Sequence, residues 1–285
     1  MLLRVAFFTL VERKILGLMH YRKGPNKLII WGISQPISDA VKLLTKEGPK
    51  FSFSKMIIIR IGPFAGMMLI IICWRTTHVC FQQIRKSGVR LILILSLIRL
   101  SPYVFILTGW GRNTKYTLIG SLRAISQVIS YEVCLILFVL VVVYRLISYK
   151  LENIIKIQEN YWIMFINLPI FITWITICIA ERNRTPFDHA ERERELVRGF
   201  NLEYGGGLFA VIFIIEYGII IFIRLLTCLL FTGARILLVK TTCVCLVFVW
   251  VRCCFPRLRY DKLMWISWKI CLPYRLSLIA VSLCV

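Results

Sequence analysis

Acidic side chains are scarce in this chain, which has 14 Asp and Glu residues among 285, against 36 Lys and Arg. Histidine is scarcer still, and its 3 residues stand far apart in the sequence. The 11 cysteines include no Cys-x-x-Cys pair, and most of them stand within apolar runs, where a thiol packs as a small hydrophobic group. These shortages argue against a structural zinc module, and we expect this chain to bind no metal.

Long apolar runs dominate what is present. The chain is 59% hydrophobic, and its mean hydropathy is +0.77, whereas soluble domains have roughly 45–50% apolar residues. The runs are about 18–22 residues long, which suits membrane helices rather than the strands of a barrel. We therefore predict an all-α fold: one polytopic membrane domain over 1–285, with about eight transmembrane helices and a surface amphipathic helix.

The positions of the apolar runs define the predicted spans. They lie near 1–19, 56–74, 89–109, 125–146, 161–180, 208–230, 235–251 and 265–285. In the polar connection between the first two spans, Ile37, Val41 and Leu44 share one face of a helix, which predicts a surface amphipathic helix. Gly62–Pro63 predicts a kink in the second span. The connections at 75–90, 110–124 and 147–160 are predicted as loops or turns.

The formal net charge is +22. In a soluble protein this excess would indicate nucleic acid, but here Lys and Arg stand mostly between apolar runs, where they set membrane orientation. We expect the odd-numbered connections on the inner side, facing cytosol or mitochondrial matrix, and both termini on the opposite side. No nucleic-acid partner is expected.

Half of the acidic residues lie in one stretch, 181–216, and the predicted acidic connection is 181–207. Thr185–Pro186 predicts the start of a helix there, with Thr as its cap. Asp188, Glu191 and Glu195 would then share one face, and their mutual repulsion would suit proton exchange. The alternative is a solvated loop whose carboxylates are neutralised by neighbouring arginines. Composition alone slightly favours that solvated loop.

Two carboxylates, Glu132 and Glu216, fall inside apolar runs. A charged Glu in such a position costs a few kcal/mol on insertion scales, so it needs water or a partner. A proton-relay role is favoured over a Glu that reaches the surface or pairs with an Arg. The residues alone thus indicate a membrane protein linked to protons or cations.

Five polar segments identify a family. They are VERKILGLMHYRKGPNK (11–27), QPISDAVKLLTKE (35–47), TGWGRNTKYTLIGSLRAISQVISYE (108–132), ERNRTPFDHAERERELVRGFNLEYGGGLFAVIFIIEY (181–217) and FPRLRYDKLMWISWK (255–269). In this order and spacing, the chain resembles subunit 1 of the mitochondrially encoded proton-pumping NADH–quinone oxidoreductase, respiratory complex I. The resemblance covers nearly the whole sequence.

The resemblance implies a subunit of the mitochondrial inner membrane that anchors the peripheral arm and forms part of the ubiquinone chamber. Such a chain has no complete active site and binds no cofactor, since FMN and the iron–sulfur clusters belong to partner subunits. Matched to the quinone chamber are Glu12, Arg13, Arg22, Asp39 and Arg184. Matched to the acidic pathway that couples quinone reduction to proton movement are Glu132, Glu181, Asp188, Glu191, Glu193, Glu195, Glu203 and Glu216.

Two departures from the family pattern stand out. The first span is shorter, so we expect the natural chain to begin earlier. In addition, arginine stands where the family usually has Ser or another small residue at Arg99, Arg112, Arg192, Arg194, Arg198, Arg224 and Arg275. We hypothesise that these codons are AGA or AGG and are read as Ser in the organism, which would also lower the formal charge.

Three alternatives remain at this point. A related anchor subunit of a membrane-bound hydrogenase would have no quinone, and the residues near Glu12 argue against it. A purely structural anchor would hold its carboxylates only as ion pairs. An autonomous ion channel is the third.

Overall fold

The structure, a computed structural model, describes residues 2–28, 30–46, 55–82, 90–146, 148–166, 168–188 and 204–284. Throughout these residues the regular structure is helical. The α-helices are α1 (Leu2–Met19), α2 (Gln35–Thr45), α3 (Met56–Gln82), α4 (Arg90–Ile98), α5 (Ser101–Arg112), α6 (Lys115–Leu146), α7 (Leu151–Asn160), α8 (Ile163–Ile166), α9 (Leu168–Glu181), α10 (Gly206–Phe231), α11 (Leu237–Cys254), α12 (Tyr260–Trp265) and α13 (Leu272–Cys284). A 3₁₀ turn at Ile30–Gly32 precedes α2, and a π-helical segment, Ile266–Cys271, joins α12 to α13.

Six helical segments of the described chain are long and apolar enough to cross a membrane. They are Met56–Thr76, Arg90–Arg112, Lys115–Leu146, Gly206–Phe231, Leu237–Cys254 and Tyr260–Leu283. The predicted first and fifth spans are also helical, as α1 and α9, but α1 includes four charged residues and α9 is a shorter apolar helix. The all-α polytopic fold is therefore confirmed, while the count of eight spans and the single-domain boundaries remain predictions.

Helix α6 lies at the centre of the core. It packs against α5, α9 and α13, and its apolar half buries Phe138 against Trp174 and Phe231. A run of Leu, Val and Ile can be buried on all sides in this way, since no face has to remain polar. This central helix also carries Glu132, so the core and the candidate site share one support.

The start of α6 corrects the predicted turn at 110–124. Only Asn113 and Thr114 separate α5 from α6, and Asn113 adopts a left-handed conformation (φ 54°) that ends α5. The polar residues that suggested a turn, including Thr117 and Ser121, are buried against α5. Glycine is required at position 109 because a Cβ atom there would collide with Ser121. Small polar side chains here allow close helix packing.

The predicted loop at 147–160 is also wrong, because residues 151–160 form α7. One face of this short amphipathic helix buries Leu151 and Ile154, while the side-chain amide of Gln158 donates to the carbonyl of Leu230. Its opposite face bears Glu152 and other charged residues, which make the segment appear hydrophilic in sequence. Amphipathic helices lie at surfaces for this reason.

Three other predictions concern helix limits. Helix α3 runs to Gln82, so the loop predicted from residue 75 is wrong as far as residue 82. The span predicted at 89–109 is divided at Arg99–Leu100, and Pro102 occupies the first turn of α5, where proline is tolerated. The predicted surface helix is confirmed as α2, and its apolar residues Ile37, Val41 and Leu44 are exposed.

Candidate functional site

The polar turn formed by residues 181–188 follows α9 directly. The amide of Phe187 donates to the carbonyl of Arg184 (2.7 Å), and Asn183 has a left-handed φ of 49°. A helix does not begin at Thr185–Pro186 as predicted, because residues 185–188 form turns and bends. The Thr185 hydroxyl, which would have capped that helix, instead accepts a hydrogen bond from Arg252 Nε (2.9 Å).

Glu12 joins α1 to this turn. Its side chain is buried and forms an ion pair with Arg252, which lies on α11, 240 residues away in the sequence. The same guanidinium bonds Thr185, so Arg252 holds α1, α11 and the polar turn together. These residues and Arg184 line a cavity of about 20 Å³, which exceeds the roughly 10–15 Å³ that a water molecule needs. Arg184 also lies over the Tyr217 ring at 4.5 Å.

A second cavity, of about 50 Å³, also borders the turn. Glu181, Arg182 and Glu216 contribute to its walls, and most of its remaining lining is apolar. Glu181 is only 1% exposed and forms an ion pair with Arg182. Arg182 contributes to the walls of both cavities, so one guanidinium connects the Glu12 side with the Glu181–Glu216 side.

Glu132 completes this group from α6. Its side chain is 8% exposed, and it interacts electrostatically with Glu181, Arg99 and Arg182. Within the described chain, its Oε1 atom is buried without a hydrogen-bond partner. We call Glu12, Glu132, Glu181, Glu216, Arg182, Arg184 and Arg252 the carboxylate–arginine cluster.

Other predicted site residues lie outside this cluster. Arg13 Nη1 and Asp39 Oδ2 form an exposed ion pair (2.8 Å) between α1 and α2. Arg22 is exposed in the connection after α1. Neither the pair nor Arg22 contributes to the walls of the two cavities. Asp188 is buried and lies 3.8 Å from Arg257. Glu191, Glu193, Glu195 and Glu203, together with Arg192, Arg194 and Arg198, lie outside the described residues.

Tyr204 packs beside the second cavity, just before α10. Its hydroxyl donates to the carbonyl of Thr108 (3.1 Å), and Thr108 lines the cavity. Burial raises the pKa of Tyr204 to about 12, although the nearby Arg112 acts in the opposite direction. The phenol therefore stays neutral at physiological pH and acts as a hydrogen-bond donor.

Sequence reasoning missed Arg252 and Gln127 as residues of this region, and it gave Thr185 a different role, that of a helix cap. Gln127 donates from α6 to backbone carbonyls on both sides of the polar turn. No periodic pattern marks these residues, and Arg252 stands in a basic connection that we attributed to membrane orientation. In the described ranges, no three His, Cys, Asp or Glu side chains are grouped as a metal site would require.

Comparison with known proteins places the whole chain in one family. Residues 1–283 match the family model described as NADH dehydrogenase. The chain is 42% identical to NADH-ubiquinone oxidoreductase chain 1 of Trichosurus vulpecula over 287 residues, which cover 97% of this chain and 90% of the relative. It is 40% identical to the protein of that name from Aedes aegypti, with coverage of 96% and 88%. The protein of that name from Paracentrotus lividus is also 40% identical, with coverage of 99% and 91%.

Proposed function

The chain belongs to the NADH dehydrogenase family as a member of the chain 1 group, and from this premise we propose that it couples ubiquinone reduction to proton translocation in complex I. In this role it is the core membrane subunit that forms part of the ubiquinone chamber in the mitochondrial inner membrane. Its partners are other complex I subunits, ubiquinone and membrane lipid. FMN and the iron–sulfur clusters reside in partner subunits, so this chain alone has no complete active site.

One observation carries the proposal: Arg182 lies on the walls of both cavities. On one side, Glu12 and Arg184 are residues that the resemblance matches to the chamber, and on the other side, Glu181 and Glu216 are residues that it matches to the acidic pathway. Charges in a poorly hydrated region interact strongly because little water screens them. A change of charge at the first cavity therefore alters the balance between Arg182 and Glu181 at the second.

The mechanism follows from this shared guanidinium. The electrons that reduce a quinone bring negative charge into the chamber, and the uptake of protons neutralises this charge as the quinol forms. When the chamber side gains negative charge, Arg182 is drawn toward it, and the carboxylates of Glu181 and Glu216 then hold a proton more readily. When the quinol forms, Arg182 returns and the proton is released. Glu132, which senses both Glu181 and Arg182, passes the change into α6.

Replacement of the carboxylates by amides tests this function. We expect Glu181→Gln, Glu216→Gln and Glu132→Gln each to lower the rate of quinone-linked NADH oxidation by about tenfold or more. The reason is that loss of a group that transfers protons lowers the reaction rate by at least this factor. NADH oxidation with an artificial acceptor, which requires only the peripheral arm, should persist. Glu152→Gln on α7 is the matched control, because Glu152 pairs with Arg90 away from both cavities.

The alternatives give different results in the same experiment. A purely structural anchor predicts normal quinone-linked activity and pumping in all the assembled variants, and that outcome would refute the coupling role. A hydrogenase-type anchor predicts that quinone-site inhibitors have no effect on the wild-type complex.

A further inference from the structure

Gln127 is a wholly buried glutamine on α6, five residues before Glu132. Its side-chain nitrogen Nε2 donates to the carbonyl oxygen of Ala180 (2.8 Å) and to that of Phe187 (2.8 Å). Both neighbours are backbone acceptors, so the orientation of the amide is fixed by chemistry: only the NH₂ group can face them. One side chain thus binds the chain on either side of residues 181–186.

Other contacts hold the middle of the polar turn from a different direction. Arg252 Nε donates to the Thr185 hydroxyl, and the amide of Leu258 donates to the carbonyl of Pro186 (3.1 Å). These donors come from α11 and the segment that follows it. Gln127 is therefore a link by which α6 holds the backbone at both ends of the turn, and Tyr131 of the same helix packs against the Phe187 ring (6.4 Å between ring centroids).

Both elements that Gln127 joins, the polar turn and α6, carry residues of the carboxylate–arginine cluster. The turn carries Glu181, Arg182 and Arg184, which line the two cavities. Glu132 lies one and a half turns further along the same helix as Gln127, which is about 7.5 Å along its axis. Gln127 thus ties the helix that carries Glu132 to the turn that carries Glu181 and Arg182. A misplacement of about 1 Å in such an array is enough to lower turnover by up to about 100-fold.

We propose that Gln127 is a positioning residue for quinone reduction, which holds the polar turn in register with Glu132. The inference rests on the proposed function, because it assigns Gln127 a role in the same site. Gln127 neither binds the quinone nor transfers a proton. It acts through its hydrogen bonds to the carbonyls of Ala180 and Phe187. Asparagine has the same NH₂ group but a side chain one methylene shorter, so it cannot reach both carbonyl oxygens from this position.

The chain offers a matched control in Gln158 of α7. Gln158 is also buried, and its Nε2 likewise donates to a backbone carbonyl, that of Leu230. In both glutamines Oε1 is buried without a hydrogen-bond partner in the described chain. Gln158 lies away from the two cavities and does not contribute to their walls. Substitution by methionine preserves length and shape in both and removes the donor.

The experiment compares Gln127→Met with Gln158→Met in the assembled complex, with activity normalised to the amount of complex. We expect Gln127→Met to raise the KM for a short-chain quinone and to lower its turnover by about tenfold to 100-fold. Sensitivity to a quinone-site inhibitor should shift in the same preparation. Gln158→Met should change the amount of complex, if anything, and leave KM and inhibitor sensitivity within about twofold of wild type.

Gln127→Glu serves where the methionine variant fails to assemble. A Glu buried here is protonated and keeps the shape, but its single O–H can donate to only one of the two carbonyl oxygens, so a rise in KM is again expected. Values of KM, turnover and inhibitor sensitivity within twofold of wild type, in whichever Gln127 variant assembles, would overturn the proposal. An equal change in the Gln158 variant would also overturn it. The proposed function fails separately, if the wild-type complex itself has no inhibitor-sensitive quinone reduction.

Discussion

Two neighbouring segments of α6 differ sharply in what they contact: the one around Gln127 and Glu132, which we call the polar end, and the one around Phe138. Near Gln127 and Glu132 the helix faces the polar turn, and two cavities lie nearby. Near Phe138 it faces rings: the centroid of Phe138 lies 4.9 Å from that of Trp174 and 5.9 Å from that of Phe231. These three aromatic residues, which we call the aromatic core, are all under 2% exposed.

This difference separates two tasks along a single helix. At the polar end, side chains from α1, α6, α9, α10 and α11 come together, and the cavities beside their ion pairs are large enough for water. Charged groups need such room, because burial without water or a partner is costly. The aromatic core belongs to a large cluster of buried apolar side chains, in which its three rings pack against one another. Variants at the aromatic core should therefore alter stability, and variants at the polar end should alter activity.

The largest effect is expected from Trp174→Ala in the aromatic core. Removal of a buried Trp side chain typically costs about 3–5 kcal/mol, because packing is lost and a cavity is left. Thermal unfolding of the complex, or its amount in the membrane, measures this loss. Trp268→Ala is the control, since Trp268 is 54% exposed. Similar instability in both variants, or an altered quinone KM in the assembled Trp174→Ala complex, would contradict the assignment of stability to the aromatic core and of activity to the polar end.

Position 275 is an exception to this comparison, because a charged residue is written there within the aromatic core. As written, Arg275 of α13 is fully buried beside Phe138, its guanidinium 5.9 Å from the ring centroid. The thiols of Cys134 and Cys271 lie within electrostatic range, but its three guanidinium nitrogens make no hydrogen bond of ordinary geometry within the described residues. A charge buried in this way costs several kcal/mol.

The hypothesis that this codon is read as Ser removes the conflict. We expect peptide mass spectrometry of the mature protein to find Ser at position 275. The same result is expected at position 224, where the written Arg is buried between the rings of Phe8 and Phe248. CGN codons at these positions, or arginine in the peptides, would end the idea and make Arg275 a charge within the aromatic core.

A smaller effect is expected from a double-mutant cycle on Glu12 and Arg252. This pair is largely buried, with side-chain exposures of 7% and 28%. Residues that share an ion pair of this kind show coupling energies of about 0.5–3 kcal/mol, and we expect a value in the upper half. Stability and quinone-linked activity of Glu12→Gln, Arg252→Gln and the double variant give the coupling.

The control cycle uses Glu159 and Arg235 at the α7 end. Glu159 Oε2 lies 3.5 Å from Arg235 Nη2, but the two side chains are 43% and 71% exposed, respectively. Exposed pairs contribute about 0–1 kcal/mol, since water and salt screen them. Equal coupling energies in the two cycles would show that burial at the polar end does not strengthen the Glu12–Arg252 ion pair.

Hydropathy predicted the long helices well and the connections poorly. The apolar runs behind α3, α10 and α11 are helices, because a backbone in hydrocarbon must satisfy its own hydrogen bonds. The first turns of α6 and all of α7 were predicted as turns or loops. Thr117 and Ser121 of α6 are buried by contacts with α5, and Gln158 of α7 is buried by contacts with α10. Such contacts leave no trace in a local pattern.

The candidate site divides in the same way. Family resemblance identified Glu12, Glu181 and Glu216 as important, and the structure brings all three to the two cavities. Their roles in coupling remain predictions. Arg252 and Gln127 were missed because their partners are distant in sequence: Glu12 is 240 residues from Arg252, and Phe187 is 60 from Gln127. Only tertiary structure shows that these side chains converge on one turn.

The smallest effect is expected at the exposed pair of Arg13 and Asp39. Resemblance matches both residues to the quinone chamber, but they join α1 to α2 at the surface, with side-chain exposures of 50% and 37%. Asp39→Asn should therefore change stability by about 0–1 kcal/mol, and less at high salt. If the pair positions α2 beside the chamber, the quinone KM should change while stability does not. A loss of stability as large as that of Glu12→Gln would instead show that the Arg13–Asp39 pair helps to stabilise the carboxylate–arginine cluster.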